Sequence, residues 1–202
     1  MSVNLQKGQK VDLTKGNEGL KKIIVGLGWD EAQPEQGKGI FGSLFGGQKQ
    51  DIDCDASAIV CDANGKYLDK NDIVFYNNLH HASGCVNHMG DNLTGGGDGD
   101  DEQITVDLLE LPEKYQKITF VVTIYKARER RQHFGMIRNA FIRIVDASSS
   151  RELFRYNLSE NYDGMTSMIF GEVYRMSGEW KFSAIGQGTN DDGISEIAKR
   201  FH

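Results

Sequence analysis

Ile118-Thr-Phe-Val-Val-Thr-Ile-Tyr125 is an unbroken run of β-branched, aromatic and hydroxyl residues, the types that favour a pleated strand. Six further short segments have the same character, and turn-rich pieces such as Asp62-Ala-Asn-Gly65 separate them. These predicted strands cover 22–29, 58–61, 73–76, 104–108, 140–145 and 180–184. Many short strands with few helices predict an all-β fold, an antiparallel β-sandwich of two packed sheets.

Helical periodicity is confined to the end of the chain. Ile194, Ile197, Ala198 and Phe201 recur at i, i+3, i+4 and i+7, and Asp192 precedes them as a candidate N-cap. This spacing predicts a short amphipathic C-terminal helix.

Composition describes an ordinary globular chain of 202 residues, with 39% hydrophobic and 26% charged residues. There is no apolar run of about 18 residues and no secretory signal pattern at the start, so we expect a cytoplasmic protein without direct membrane insertion. Three cysteines are too few for a disulfide scaffold. The Gly- and Gln-rich stretch 37–50 is predicted to be a loop within a single domain, 1–202, because similar strands lie on both sides of it.

Negative charge is concentrated in one part of the sequence. Between Lys70 and Lys114 there is no lysine or arginine, while nine Asp and Glu residues fall in that interval. Such a segment repels phosphates, so nucleic acid and anionic lipid are not expected partners of this face, whereas cations are attracted.

In the first acidic cluster, oxygen-bearing side chains occupy every second position. If the stretch from Asp51 is a strand, Asp51, Asp53, Asp55 and Ser57 all point to one face, an arrangement of like charges that is costly without a cation. Alternate residues of a strand lie about 6.5–7 Å apart, and calcium needs six to eight oxygens at about 2.3–2.6 Å. One strand therefore cannot enclose the ion, and a second segment must supply ligands.

The second cluster, residues 90–102, can supply them. Its five glycines let the backbone turn sharply, Asp91, Asp98, Asp100, Asp101 and Glu102 carry anionic oxygens, and Asn92 and Thr94 add neutral ones. An all-oxygen set in an irregular loop favours Ca²⁺ over Mg²⁺. An EF-hand is rejected, because Ala56 stands in place of the turn glycine, Asp62 in place of the bidentate Glu, and the flanks are strand-like.

Motifs along nearly the whole chain match those of a known family in the same order. The matching stretches are Val25-Gly-Leu-Gly-Trp-Asp30, Asp53-Cys-Asp-Ala-Ser-Ala58, Phe75-Tyr-Asn-Asn78, Gly90-Asp-Asn-Leu-Thr-Gly95, Gly99-Asp-Asp-Glu102, Phe134-Gly135, Asn139-Ala-Phe-Ile-Arg143, Arg155-Tyr-Asn-Leu-Ser-Glu160, Phe170-Gly-Glu-Val-Tyr-Arg175, Glu179-Trp-Lys-Phe182 and Ala184-Ile-Gly-Gln-Gly188. By these stretches the chain resembles the TerD family of tellurite-resistance and stress proteins.

The resemblance implies a calcium-binding β-sandwich that holds two ions and is not an enzyme. It implies action in resistance to tellurite and other toxic agents, through other Ter-type stress proteins and a membrane-embedded partner at the inner face. The implied ligands, together with Thr94 from the loop, are Asp53, Asp55, Asn77, Asn78, Asp91, Asp100, Asp101 and Glu102. Asp51 and Asp98 match more variable positions. One departure is Lys126, where the family tends to carry an aspartate.

Two alternatives stay open at this point. A zinc site could use His80, His81, Cys85 and His88, since Cys85-x-x-His88 has workable spacing. A metal-dependent hydrolase could use Asp100 and Asp101 as paired carboxylates. Cys54 is not expected to be a nucleophile, because neighbouring carboxylates raise the pKa of its thiol.

Overall fold

The computed structural model describes residues 2–31, 52–91 and 99–202. Within these ranges the chain forms twelve strands and a few short helices. The strands are β1 (Val3–Leu5), β2 (Lys10–Asp12), β3 (Lys22–Glu31), β4 (Cys54–Cys61), β5 (Ile73–Val74), β6 (Val86–Asp91), β7 (Glu102–Asp107), β8 (Lys117–Ile124), β9 (Ile137–Asp146), β10 (Arg151–Asn157), β11 (Ser167–Met176) and β12 (Glu179–Thr189). The α-helices are α1 (Ala127–Arg130) and α2 (Ile194–Ile197), and 3₁₀ turns cover Lys70–Asp72, Phe134–Met136 and Ala198–Phe201.

The strands build two six-stranded sheets. Sheet I has the order β1-β10-β9-β3-β7-β6, and sheet II has the order β2-β12-β11-β8-β4-β5. Among the described strands every pair is antiparallel except β1 with β10, which is parallel. The predicted antiparallel sandwich is confirmed, and the parallel pair is a difference at one sheet edge that the sequence pattern did not indicate.

The main core lies between the sheets and follows the two-residue period of the strands. In β4, Cys54, Ala56, Ala58 and Val60 face this core, and in β7 every second residue from Glu102 is buried. A smaller apolar cluster covers the opposite, outer face of sheet II, where Ile59 and Cys61 meet the C-terminal segment. The sandwich is therefore closed on one outer face by the end of the chain.

The predicted C-terminal helix is confirmed, but two details differ. It is divided into α2 and the 3₁₀ turn Ala198–Phe201, and its N-cap is Gly193 rather than Asp192. Gly193 has φ +82°, which suits glycine, and its carbonyl accepts hydrogen bonds from the N–H groups of Glu196 and Ile197. Asp192 instead donates its own N–H to the Glu196 carboxylate at 2.7 Å.

Some predictions fall outside the described residues, namely the loop at 37–50 and the side chains of Asp51, Asp91, Asn92, Thr94 and Asp98. Across the part of the chain that is described, no helix combines the length and apolar character needed to span a membrane.

Candidate metal site

The first acidic cluster begins beside an incompletely paired strand edge. β8 pairs with the whole of β4, but β5 reaches only Ala58 and Ile59, so no described strand lies beside residues 54–57. There the N–H of Ala56 donates to the Glu102 carboxylate. A carboxylate thus takes the place of a neighbouring strand, which satisfies a buried backbone donor.

Asp53 and Asp55 lie at the start of this edge. Asp53 precedes β4, its exposed carboxylate is 3.8 Å from Arg130, and its carbonyl accepts the N–H of Tyr125 at 2.7 Å. Asp55 is half-buried within β4. Because Ala56 and Cys54 face the inter-sheet core, Asp55 belongs to the outer face of sheet II together with Ser57.

Residues 99–101 of the second cluster lie across β3, and two glycines allow them to do so. The N–H of Asp101 donates to the carbonyl of Leu27 at 2.8 Å, and the N–H of Trp29 donates to the Asp101 carboxylate at 2.7 Å. A Cβ on Gly26 would stand 2.2 Å from the Asp100 carboxylate, and a Cβ on Gly28 would stand 2.4 Å from the Phe141 ring and 3.1 Å from the carbonyl of Gly99. The Gly-x-Gly of the first family motif therefore leaves the space that residues 99–101 need in order to pack against β3.

Asp100 is held on the outer face of sheet I. Both of its oxygens accept hydrogen bonds from Arg143, at 2.6 and 3.0 Å, and Gln103 donates to it at 2.9 Å. The Asp100 side chain is 0% exposed. The hydrogen bonds that Arg143 donates to Asp100 lead the causes that raise the pKa of Arg143 above its usual value.

Glu102 points in the opposite direction, into the space between the sheets. Its carboxylate lies 3.5 Å from Nε2 of His88, and both side chains are almost fully buried. Three consecutive acidic residues therefore contact three different regions of the fold.

Charges from both acidic clusters act on Cys54. Its pKa is raised well above the usual thiol value, first by burial and then by the charges of Asp55, Asp53, Glu102 and Asp101. The predicted direction is confirmed, although burial is the larger cause. The thiol is therefore protonated at neutral pH and is a poor nucleophile.

The turn after β5 is the third segment near this edge. Phe75 and Asn78 exchange backbone hydrogen bonds, and the Asn78 amide donates to the carbonyl of Ile73 at 2.8 Å. Asn77 is exposed. The neighbouring Tyr76 has a raised pKa, caused first by burial and then by the charges of Asp55, Tyr125 and Asp53. It lines a cleft together with Asp55.

The predicted ligands are thus distributed over three segments. Within the described residues, no group of three His, Cys, Asp or Glu side chains is already arranged to hold a metal. The donors near the edge are nevertheless oxygens of Asp53, Asp55, Asp101 and Glu102, the type of donor that hard cations prefer.

The candidate zinc ligands have separate partners. His80 pairs with Asn87 at 3.0 Å, His81 with Asp72 at 3.0 Å, and the Cys85 thiol with the carbonyl of Ser83 at 3.5 Å, while His88 Nδ1 accepts the N–H of Gly90 at 3.0 Å. These contacts give the zinc hypothesis no support.

Two features of the site were not among the predicted site residues. Arg143 lies in one of the quoted family stretches, but its contact with Asp100 depends on the pairing of Gly26 with Arg143 and with Gln103 across three strands. Tyr76 lies in another such stretch, where only the two asparagines were selected. In both cases the family motif contained the signal.

Comparison with known proteins places these observations in a family. The TerD domain model matches residues 1–201. The chain belongs to the TerD family. It is 51% identical over 201 residues to the stress response protein SCP2 of Bacillus subtilis, with 100% of both chains covered. It is 47% identical to the tellurium resistance protein TerD of Serratia marcescens, covering 93% of this chain and 91% of that protein. The TerD family recognition made from the sequence is confirmed.

Solved structures agree with the fold of this TerD-family chain. A homologue of telluride resistance protein TerD from Streptomyces coelicolor A3(2) aligns with TM-score 0.63 and 20% identity, covering 91% of this chain and 99% of that one. A protein of unknown function, SAV2460, aligns with TM-score 0.66 and 23% identity, covering 90% and 96%. The family comprises tellurium-resistance and general stress proteins.

Proposed function

We propose that this protein is a calcium-binding, non-enzymatic member of the TerD family that acts in resistance to tellurite and other stresses through protein partners. The observation that supports the proposal is that the segments 53–55 and 100–102 meet at the incompletely paired edge of β4, where the Ala56 N–H donates to the Glu102 carboxylate. Negative charges held close together at that position repel one another, and a bound cation would offset this repulsion.

The donor set fits calcium in part. Asp53, Asp55, Asp101 and Glu102 would hold the ion, with Asn77 from the neighbouring turn and with Asp91 and Thr94 as further predicted ligands. Bound calcium would supply positive charge that offsets the repulsion among these groups. Burial is the first cause of the raised pKa of Asp101, the Trp29 N–H opposes it, and the charges of Asp30 and Asp100 add to it. A cation would lower that pKa.

Asp100 has a different role in this proposal. Because Arg143 engages both of its oxygens, Asp100 anchors the segment to sheet I and positions Asp101 and Glu102. Asn78 likewise stabilises its turn through the carbonyl of Ile73. Two ions and Ter-type partners, including a membrane-embedded one at the inner face, remain predictions from the resemblance, and a cytoplasmic location remains a prediction from the sequence pattern.

Thermal unfolding in EDTA, Ca²⁺ and Mg²⁺ tests the proposal. Calcium should raise the free energy of unfolding by RT ln(1 + [L]/Kd), about 2.7 kcal/mol at a hundredfold excess over Kd. Tm should rise accordingly, and magnesium should have a smaller effect. The double variant Asp53→Asn with Asp55→Asn should lose this shift. Asp163→Asn is the matched control, since Asp163 is exposed and pairs with His133 at 3.2 Å.

The absence of a calcium-dependent shift in the unaltered chain would disprove calcium binding. An unchanged shift in the Asp53, Asp55 variant would disprove the site. The hydrolase alternative is tested on the same samples with phosphoester and glycoside substrates, and metal-dependent turnover would contradict the non-enzymatic proposal. No contact described above favours that alternative, because Asp100 is engaged by Arg143 and Asp101 by the Trp29 N–H.

A further inference from the structure

A cleft of about 310 Å³ lies beside the candidate metal site. It is bounded by the start of β4, the 75–78 turn, the end of β8, α1 and the segment before α2, and buried Thr123 lines it. Its volume is at the lower end of the range for small-ligand pockets, about 300 Å³. A side chain or another small group would fit there.

Two tyrosines line this cleft and are unusually accessible. Tyr76 is 44% exposed and Tyr125 is 39% exposed. The Tyr125 ring already attracts cations of its own chain, because the guanidinium carbon of Arg130 lies 5.0 Å and the Lys126 ammonium 5.7 Å from its centroid. Aromatic faces of this kind stabilise ammonium and guanidinium groups.

The charge of the cleft is also complementary to a cation. Among the described residues that line it, Asp55, Glu129 and Asp192 are acidic and Lys126 is basic. Lys126 is paired with Glu129 at 3.4 Å, and Arg128 reaches Asp192 at 3.9 Å without lining the cleft. The carboxylates that line the cavity outnumber the one ammonium that lines it, although two of the three already contact a basic side chain.

A second cleft, of about 350 Å³, has no comparable preference. It is lined by Arg138 and Glu160 among others, so its charges balance. The charge argument distinguishes the first cleft.

We propose that the cleft beside Asp55 binds an arginine or lysine side chain of a protein partner, against the rings of Tyr76 and Tyr125 and opposite Glu129 and Asp192. The inference rests on the proposed function in one respect, since it names the chemistry of the protein partner. Glu129 and Asp192 are not proposed calcium ligands. Asp55 belongs to both sites, so calcium and the basic group weaken each other's binding by the same factor.

Nuclear magnetic resonance titration of the full chain tests the inference. The probe is Nα-acetyl-arginine amide, and the uncharged Nα-acetyl-citrulline amide is its control. The arginine probe should shift the resonances of Tyr76, Thr123 and Tyr125, and the citrulline probe should not. The variant Glu129→Gln with Asp192→Asn, and separately Tyr125→Leu, should weaken binding about fivefold or more.

The matched control is Glu110→Gln with Glu113→Gln, two exposed carboxylates outside the cleft, which should leave binding unchanged. Equal response to both probes, shifts confined to other residues, or full affinity in the cleft variants would overturn the inference. Tighter binding of spermidine than of a dibasic peptide would replace the protein side chain by a polyamine and overturn it as well.

Calcium titration of the same samples separates the two proposals. The Glu129, Asp192 variant should keep the calcium-dependent rise in Tm while it loses the arginine probe. Arginine binding without any calcium response would disprove calcium binding and support the cleft. A calcium response without arginine binding would overturn only the proposal for the cleft.

Discussion

The two acidic segments are alike in sequence but differ in how the fold holds them. In the segment 100–102, Arg143 binds Asp100, the Trp29 N–H binds Asp101, and the Ala56 N–H binds Glu102. In the segment 53–55, the Asp53 carboxylate is exposed with a long contact to Arg130, and Asp55 lines a cleft. One segment is fixed by the fold, and the other presents charge at a strand edge.

This difference indicates that the two segments would contribute in different ways to the proposed binding of a cation. A carboxylate fixed by several hydrogen bonds loses little side-chain entropy when it binds an ion, whereas an exposed one must be ordered. The fixed segment would therefore define the position of a cation, and the strand segment would supply much of the charge that attracts it.

The largest expected effect breaks the anchor of the fixed segment. Arg143→Gln leaves the Asp100 carboxylate buried without its guanidinium, and we expect a loss of about 2–4 kcal/mol in the free energy of unfolding. Urea denaturation measures it. Asp100→Asn added to this variant should recover a large part of the loss, because the buried charge is then removed. Arg151→Gln, at an exposed arginine, is the control, and equal stability of the two Arg variants would contradict the anchor.

A second change removes the link between the two segments. Glu102→Ala leaves the Ala56 N–H without its acceptor at a buried edge, which should cost about 2–3 kcal/mol. Glu102→Gln retains an oxygen acceptor and should cost less than Glu102→Ala, while reducing the calcium-dependent shift. Similar denaturation midpoints for the two variants would mean that the hydrogen bond contributes little.

A third test concerns Asp72, another carboxylate that the fold holds by several hydrogen bonds, and measures how stability depends on pH. Burial alone would raise the pKa of Asp72, but hydrogen bonds from Tyr115, His81 and the N–H groups of Asp69 and Leu68 outweigh burial, so the pKa is lowered. A lowered pKa stabilises the fold above the unfolded pKa of about 3.9, and this contribution is lost as pH falls through the folded pKa. Asp72→Asn should therefore flatten the acid limb of stability against pH. An unchanged limb would contradict the assignment.

The smallest expected effect concerns the strand segment. Without calcium, Asp53→Asn with Asp55→Asn should change the free energy of unfolding by no more than about 0.5 kcal/mol, because these side chains are exposed or half-buried. Chemical denaturation in EDTA measures this. A loss comparable to that of Arg143→Gln would remove the distinction between the two segments.

Several strands rich in β-formers were predictable, although β11 (Ser167–Met176) was not among the predicted strands despite its Ile169, Phe170 and Val173. The segment 118–125 matches β8 (Lys117–Ile124), but β10 reads Arg-Glu-Leu-Phe-Arg-Tyr-Asn, and its charged residues concealed a strand that is only partly buried. β6 (Val86–Asp91) was concealed by Asn87, His88 and Gly90, which are weak β-formers.

The candidate site was predictable in its division between two segments, because strand spacing excludes a site on one strand alone. The separate contacts of Asp100, Asp101 and Glu102 were not predictable. They depend on the register that sets Gly26 beside Arg143, and register across three strands is a tertiary property.

The order of the strands has a consequence for how the chain reaches its native state. Val3 pairs with Phe154, Val11 with Phe182 and Ile24 with Val145. Each of the first three strands therefore pairs with a strand that is synthesised much later. Such a high contact order predicts slow folding, limited by chain closure. During translation the first three strands have no native neighbour until later strands are made, and unpaired strand edges of this kind are prone to pair elsewhere.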